Sequence, residues 1–235
     1  SEKEDLARKL RKLVEELTRE YEELVKKLER LIEEIEKVSE ESVRKLEKLL
    51  REISEEVRKL GTDERVLKRL LERLRRIIEE DHELNTELLK RLLDLLKEIL
   101  DTSRELLKRL LDILRKGVRD EEVLRDLERT LREVLEENER AIEEAERVLR
   151  KVLEDSERAV RDARRVLAEV DKSPTRDHMV LHEYVNAAGI TRRLIRVNRE
   201  LVKLLREVLE RLLRILRESV KKLKRLIEKV IKDAT

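Results

Sequence analysis

The sequence predicts an all-α protein, an up-down-up-down antiparallel four-helix bundle of long, nearly straight helices. Three observations carry that expectation. Of 235 residues, 49% are charged and 1% aromatic, with no Cys, Trp or Phe and one Pro, the composition of long amphipathic helices. Turn signals divide the chain into four nearly equal parts. Apolar positions recur every 18 residues, which is five turns at 3.6 residues per turn, so each apolar stripe stays on one side of a straight helix.

The first helix is expected at about 3–60, where Leu6, Leu10 and Leu13 return as Leu24, Leu28 and Leu31. Gly61-Thr62-Asp63 reads as a C′ glycine followed by an N-cap, and the second helix follows at 63–116. Within it LLERL at Leu70 returns as LLKRL at Leu88 and again at Leu106. Gly117 with Asp120-Glu121-Glu122 repeats the stop-and-start signal, and the third helix is expected at 120–171. There ERAIEEAERVL from Glu139 returns as ERAVRDARRVL from Glu157. Ser173-Pro174 places a capping hydroxyl before a proline at the first helical position, opening the fourth helix at 174–233. Connections this short force consecutive helices to be antiparallel neighbours in one bundle spanning 1–235.

Polar residues interrupt the apolar stripes at the same 18-residue step: Tyr21 and Ser39, Asn85 and Ser103, Asn138 and Ser156. Asn198 and Ser219 fall on the inward face of the fourth helix. Folding at the three loops gathers two layers. One holds Ser39, Asn85, Ser156 and Asn198, with Ser42, Thr86 or His82 nearby; the other holds Tyr21, Ser103, Asn138 and Ser219, with Thr102. The third helix sits about six residues out of register. Two readings stay open, buried hydrogen-bond networks that fix register or solvated edge positions; under the first, Asn85 and Asn198 bond to each other directly or through another layer member.

Charge is balanced overall, at +2, but not by helix. Lys and Arg against Asp and Glu give −2 for residues 1–61, +1 for 62–117, −5 for 118–175 and +8 for 176–235. A basic amphipathic helix can bind nucleic acid or anionic membrane, yet its acidic neighbours lie in the same chain and stacking aromatics are missing, so neither partner is expected. No apolar run approaches a membrane span and SEKEDLARKL has no apolar signal core; soluble cytoplasmic expression is expected, as a monomer. Without cysteine, thiol chemistry and zinc-cysteine sites are excluded. His178 and His182 are spaced like ligands on one helical face, with Glu183 beside them, but a third convergent ligand is missing. No phosphate loop, nucleophile elbow or triad is present. Neither an enzyme, a metal site nor a cofactor is expected.

One stretch differs from all this. Arg176, Asp177, His178, Met179, Val180, Leu181, His182, Glu183, Tyr184, Val185, Asn186, Ala187, Ala188, Gly189, Ile190 and Thr191 hold two of three histidines, one of two tyrosines and the only methionine. These sixteen residues resemble the eleventh β-strand of green fluorescent protein, in the form used as the small fragment of a split reporter. The resemblance implies a partner, the complementary fragment of strands one to ten, with Glu183 matching the glutamate beside the chromophore. The repeats, caps and dense surface charge of the remainder resemble a computationally designed, synthetic bundle.

Whether the segment is strand or helix decides what it can do. Were it extended, the fourth helix would begin near Arg192, a quarter shorter than its partners, so length matching predicts helix over 177–191. Wound so, Val180, Leu181, Tyr184, Val185, Ala187, Ala188 and Thr191 are expected on one face continuous with Leu194, Ile195, Asn198 and Leu201, while His178, His182, Asn186 and Gly189 point away. As a strand, Met179, Leu181, Glu183, Val185 and Ala187 would share one side. The arrangement resembles cage-and-latch switches of the LOCKR type, which implies a cage at 1–172, a latch at 174–235 and a key helix competing with that latch. A static scaffold that threads a strand sequence into a helix is the alternative. A natural-type enzyme or adaptor would need a pocket or an exposed apolar surface.

Overall fold

A computed structural model describes residues 1–60, 63–172 and 177–234, with side chains in the last span from 179 to 233. Four helices, α1 (Glu2–Arg58), α2 (Glu64–Gly117), α3 (Glu121–Lys172) and α4 (Asp177–Ala234), pack as a four-helix bundle. The expected roles of Gly61, Thr62, Ser173 and Pro174 lie outside the described residues.

Helix starts follow from side-chain oxygens that satisfy orphan amides of the first turn. Ser1 Oγ accepts from Glu4 N at 3.2 Å. Asp63 Oδ1 accepts from Arg65 N at 3.0 Å, and Asp120 Oδ1 from Glu122 N at 3.0 Å. The stops differ from the glycine rule. Leu60, 69% exposed, holds the left-handed conformation after α1 (φ 52°), a geometry that costs an L-residue about 1–2 kcal/mol. Leu60→Gly is therefore expected to raise the urea midpoint by an amount equivalent to about 1 kcal/mol; an unchanged midpoint would show that the turn relaxes without cost. Gly117 is likewise not a left-handed cap: it is the last residue of α2 and φ is not positive. A Cβ there would lie 2.3 Å from Leu6 Cδ1, so close packing, not backbone freedom, explains this glycine.

The chain forms two compact units, and each helix supplies residues to both. The first comprises Ser1–Arg30, Leu92–Arg147 and Glu207–Thr235. Its core stacks Leu10, Leu13 and Leu17 of α1, Leu96, Ile99 and Leu110 of α2, Leu131 and Ile142 of α3, and Leu209, Leu212 and Leu216 of α4, all at most 3% exposed. Antiparallel register shows in Glu16–Arg109 and Lys27–Glu98, where α1 rises as α2 falls. The second comprises Leu31–Arg91 and Val148–Arg206, with a core running through Leu46, Leu49, Ile53, Leu67, Leu74, Val160 and Leu167.

The charge asymmetry is absorbed within the chain. Arg193, Arg211 and Lys222 of α4 pair with Asp162, Glu144 and Glu137 of acidic α3. Arg199, Arg206 and Arg217 pair with Glu47, Glu36 and Glu29 of α1. Exposed pairs contribute roughly 0–1 kcal/mol each. Collectively they reward placing the basic helix between its two acidic neighbours.

Candidate functional site

The segment resembling a reporter strand is helical from residue 177 onward, continuous with the rest of α4; Arg176 lies outside the described residues. Its inward face is Val180, Tyr184, Ala187 and Ala188, all within the core of the second unit, with Ile190 packed against it. Glu183 and Thr191 are buried beside them. His182, Asn186 and Gly189 are exposed.

Two expected members of the face are misplaced: Val185 is 48% exposed and Leu181 only half-buried. The helical period explains this: 180, 184, 187, 188 and 191 share one stripe, and Val185 is turned about 100° away from Tyr184. The same period places Glu183 inward, three residues after Val180 and four before Ala187. That spacing was the available signal for it.

Tyr184 is the anchor. It has no exposed surface, and its hydroxyl donates to the Asp63 carbonyl at 2.8 Å, the same carbonyl that accepts from Leu67 N at 3.2 Å. The segment thus binds the residue that caps α2. Burial, then Glu56 and Asp63, push the phenol up to about 12, so it remains a neutral donor. Thr191 Oγ donates back to the Ala187 carbonyl at 2.7 Å. Arg193 joins Asp162 of α3 at 2.8 Å, holding that carboxyl below its ordinary range.

Weak points lie in the same stretch. Glu183 Oε2 is buried without a hydrogen-bond partner, and burial, then Glu64, raise its carboxyl while His182 lowers it. Gly189 has nothing within 4 Å of a built Cβ. Gly189→Ala is therefore expected to stabilise the helix by about 1 kcal/mol, read as a higher urea midpoint. A fall in the midpoint would mean that the glycine is needed there.

The second polar layer forms two bonded pairs. Tyr21 donates to Ser103, whose own hydroxyl donates to the Ile99 carbonyl at 2.8 Å. Ser219 donates to Asn138 Oδ1 at 2.6 Å, so α3 meets α4 despite the six-residue offset read from sequence, while Asn138 Nδ2 has no partner. Burial raises the Tyr21 phenol, and its bond to Ser103 opposes this. Thr102 is half-buried.

The first layer does not close through the expected bond. Asn198 is half-buried and donates through Nδ2 to the Leu194 carbonyl at 3.0 Å, whereas Asn85 is buried with Oδ1 unpartnered. An asparagine on a helix can always reach back to the carbonyl four residues earlier, and here that local acceptor wins. Ser39 and Ser42 are buried, Ser156 half-buried, and Ser39 Oγ and Thr86 Oγ are unpartnered. Asp81, one turn before Asn85 on the same face, escaped the sequence reading; its Oδ1 lies 3.5 Å from Lys45 Nζ.

Among the described residues no group of three or more His, Cys, Asp or Glu could hold a metal ion, and no helix is long and apolar enough to cross a membrane. No protein family and no curated protein matches the chain. Among solved structures it is similar to a chain described as "Computationally designed three helix bundle", with 18% identity over 98% of this chain and 97% of that chain and a TM-score of 0.25. A likeness that low carries no argument about what this chain does.

Proposed function

We propose that this is a synthetic bundle in which residues 1–172 form a cage and α4 a latch that keeps a split-reporter strand in helical form. The observation that carries the reading is the state of residues 177–191. They are wound into α4 with Val180, Tyr184, Ala187 and Ala188 in the core. Helix and strand are mutually exclusive, since sixteen residues span roughly 24 Å as helix and roughly 53 Å as strand. Strand addition also needs backbone groups that helical hydrogen bonds occupy. Opening of the latch then exposes the strand to the complementary fragment of strands one to ten, and a key helix copying 174–235 would compete for the vacated groove.

The test is complementation with strands one to ten, with and without that key peptide, against the free sixteen-residue strand. A slow parent signal that rises with key supports the switch. A slow signal that ignores the key leaves a static scaffold. A parent as fast as the free peptide removes caging altogether.

A further inference from the structure

We propose that the second unit carries a built water site, in which one ordered water bridges Asn85 and Asp81 and completes the polar layer that side chains alone leave open. A cavity of about 30 Å³ is lined by Ser42 of α1, Asp81, His82 and Asn85 of α2, Ser156 of α3 and Asn198 of α4, over apolar Leu46 and Val160. A water needs about 10–15 Å³ of such space and two to four polar partners. The volume admits one or two waters and is too small for an organic ligand.

Chemistry selects the occupant. Asn85 is 7% exposed, and both its Oδ1 and Asp81 Oδ2 are buried without partners. Amide and carboxylate oxygens only accept, so neither can satisfy the other. A two-proton donor between them satisfies both. Lys45 already stands against the other Asp81 oxygen at 3.5 Å, which offsets the negative charge and favours a neutral donor over a cation. The hydroxyls of Ser42 and Ser156 can donate to the water's lone pairs. Asn198 spends one amide N–H on the Leu194 carbonyl, and its second does not reach Asn85 Oδ1, which has no side-chain or backbone partner. The site does not depend on the caged-strand reading, as none of these residues belongs to the segment.

A high-resolution crystal structure of the full chain decides it. The expected result is a solvent peak about 2.5–3.0 Å from both Asn85 Oδ1 and Asp81 Oδ2, absent in Asn85→Leu, whose side chain removes the acceptor and fills the space. Water-to-amide cross-relaxation at residues 81–85 in solution should likewise be present in the parent. Absence of both signals in the parent overturns the proposal, as does a direct Asn85–Asn198 bond or a peak ringed by five or six oxygens in the manner of a cation. Should Asn85→Leu fail to fold, the two parent measurements decide alone.

Discussion

If α4 is the proposed latch, Leu205→Ala is expected to raise basal complementation sharply while leaving residues 177–191 untouched. Leu205 lies on α4 and is 2% exposed, fourteen residues beyond Thr191. Truncating a buried leucine removes transfer energy and leaves a cavity, together costing about 2–5 kcal/mol. Part of that loss falls on the latched state alone, because an open α4 no longer packs Leu205. Each 1.4 kcal/mol of differential destabilisation raises the open population about tenfold. Two to three kcal/mol borne by the latch should thus speed the initial complementation rate on the order of 30- to 150-fold. Arg206→Lys is the control, since Arg206 is exposed, the substitution keeps the positive charge facing Glu36, and surface pairs contribute roughly 0–1 kcal/mol. A Leu205→Ala variant that loses stability in urea yet complements at the parent's rate would show that opening does not limit the signal.

Rising pH is expected to loosen the same segment through Glu183. Its Oε2 is buried without a partner, and the carboxyl titrates above its ordinary value, chiefly from burial and then from Glu64. A carboxyl raised in the folded state binds its proton more tightly there than when unfolded. Its contribution is thus fully favourable below the unfolded value and is lost as pH climbs through the folded one. Helical closure should weaken from mildly acidic pH toward neutrality. Below about pH 4 the opposite trend enters, because Asp162 is depressed by Arg193 and its stabilisation disappears as it protonates. Glu183→Gln keeps helix propensity nearly constant and removes the charge. It should raise the urea midpoint at pH 8, where the carboxylate is charged, and change it almost not at all near pH 4, where both side chains are neutral. Equal midpoints for Gln and Glu at pH 8 would show that the carboxylate reaches water.

How far the site could be read in advance varies with how local each cause is. Tyr184 as the buried centre of residues 177–191 follows from its place between Val180 and Ala188 on a 3.6-residue period. Val185 fails by the same arithmetic, since an apolar residue adjacent to the stripe is not on it. Tyr184's acceptor, the Asp63 carbonyl 121 residues away, has no local signature. The polar layers divide the same way. Folding at the short loops brought Tyr21 and Ser103 to comparable heights, whereas Asn138 reaches Ser219 across the offset of the third helix. Whether Asn198 would turn to Asn85 or back to Leu194 depended on two acceptors of similar strength, one always within reach along its own helix.

By itself the sequence determined the four helices, their antiparallel order and most of the inward stripes, because period, capping and short connections act within a few residues of one another. Only the tertiary structure decided that a left-handed leucine follows α1, that Gly117 makes room for Leu6 and that the first polar layer is left with unpartnered oxygens. Each of those outcomes depends on which atoms of distant helices meet, and at that range the hydrophobic pattern is satisfied equally well by several side-chain arrangements that differ by only a hydrogen bond or a methyl group.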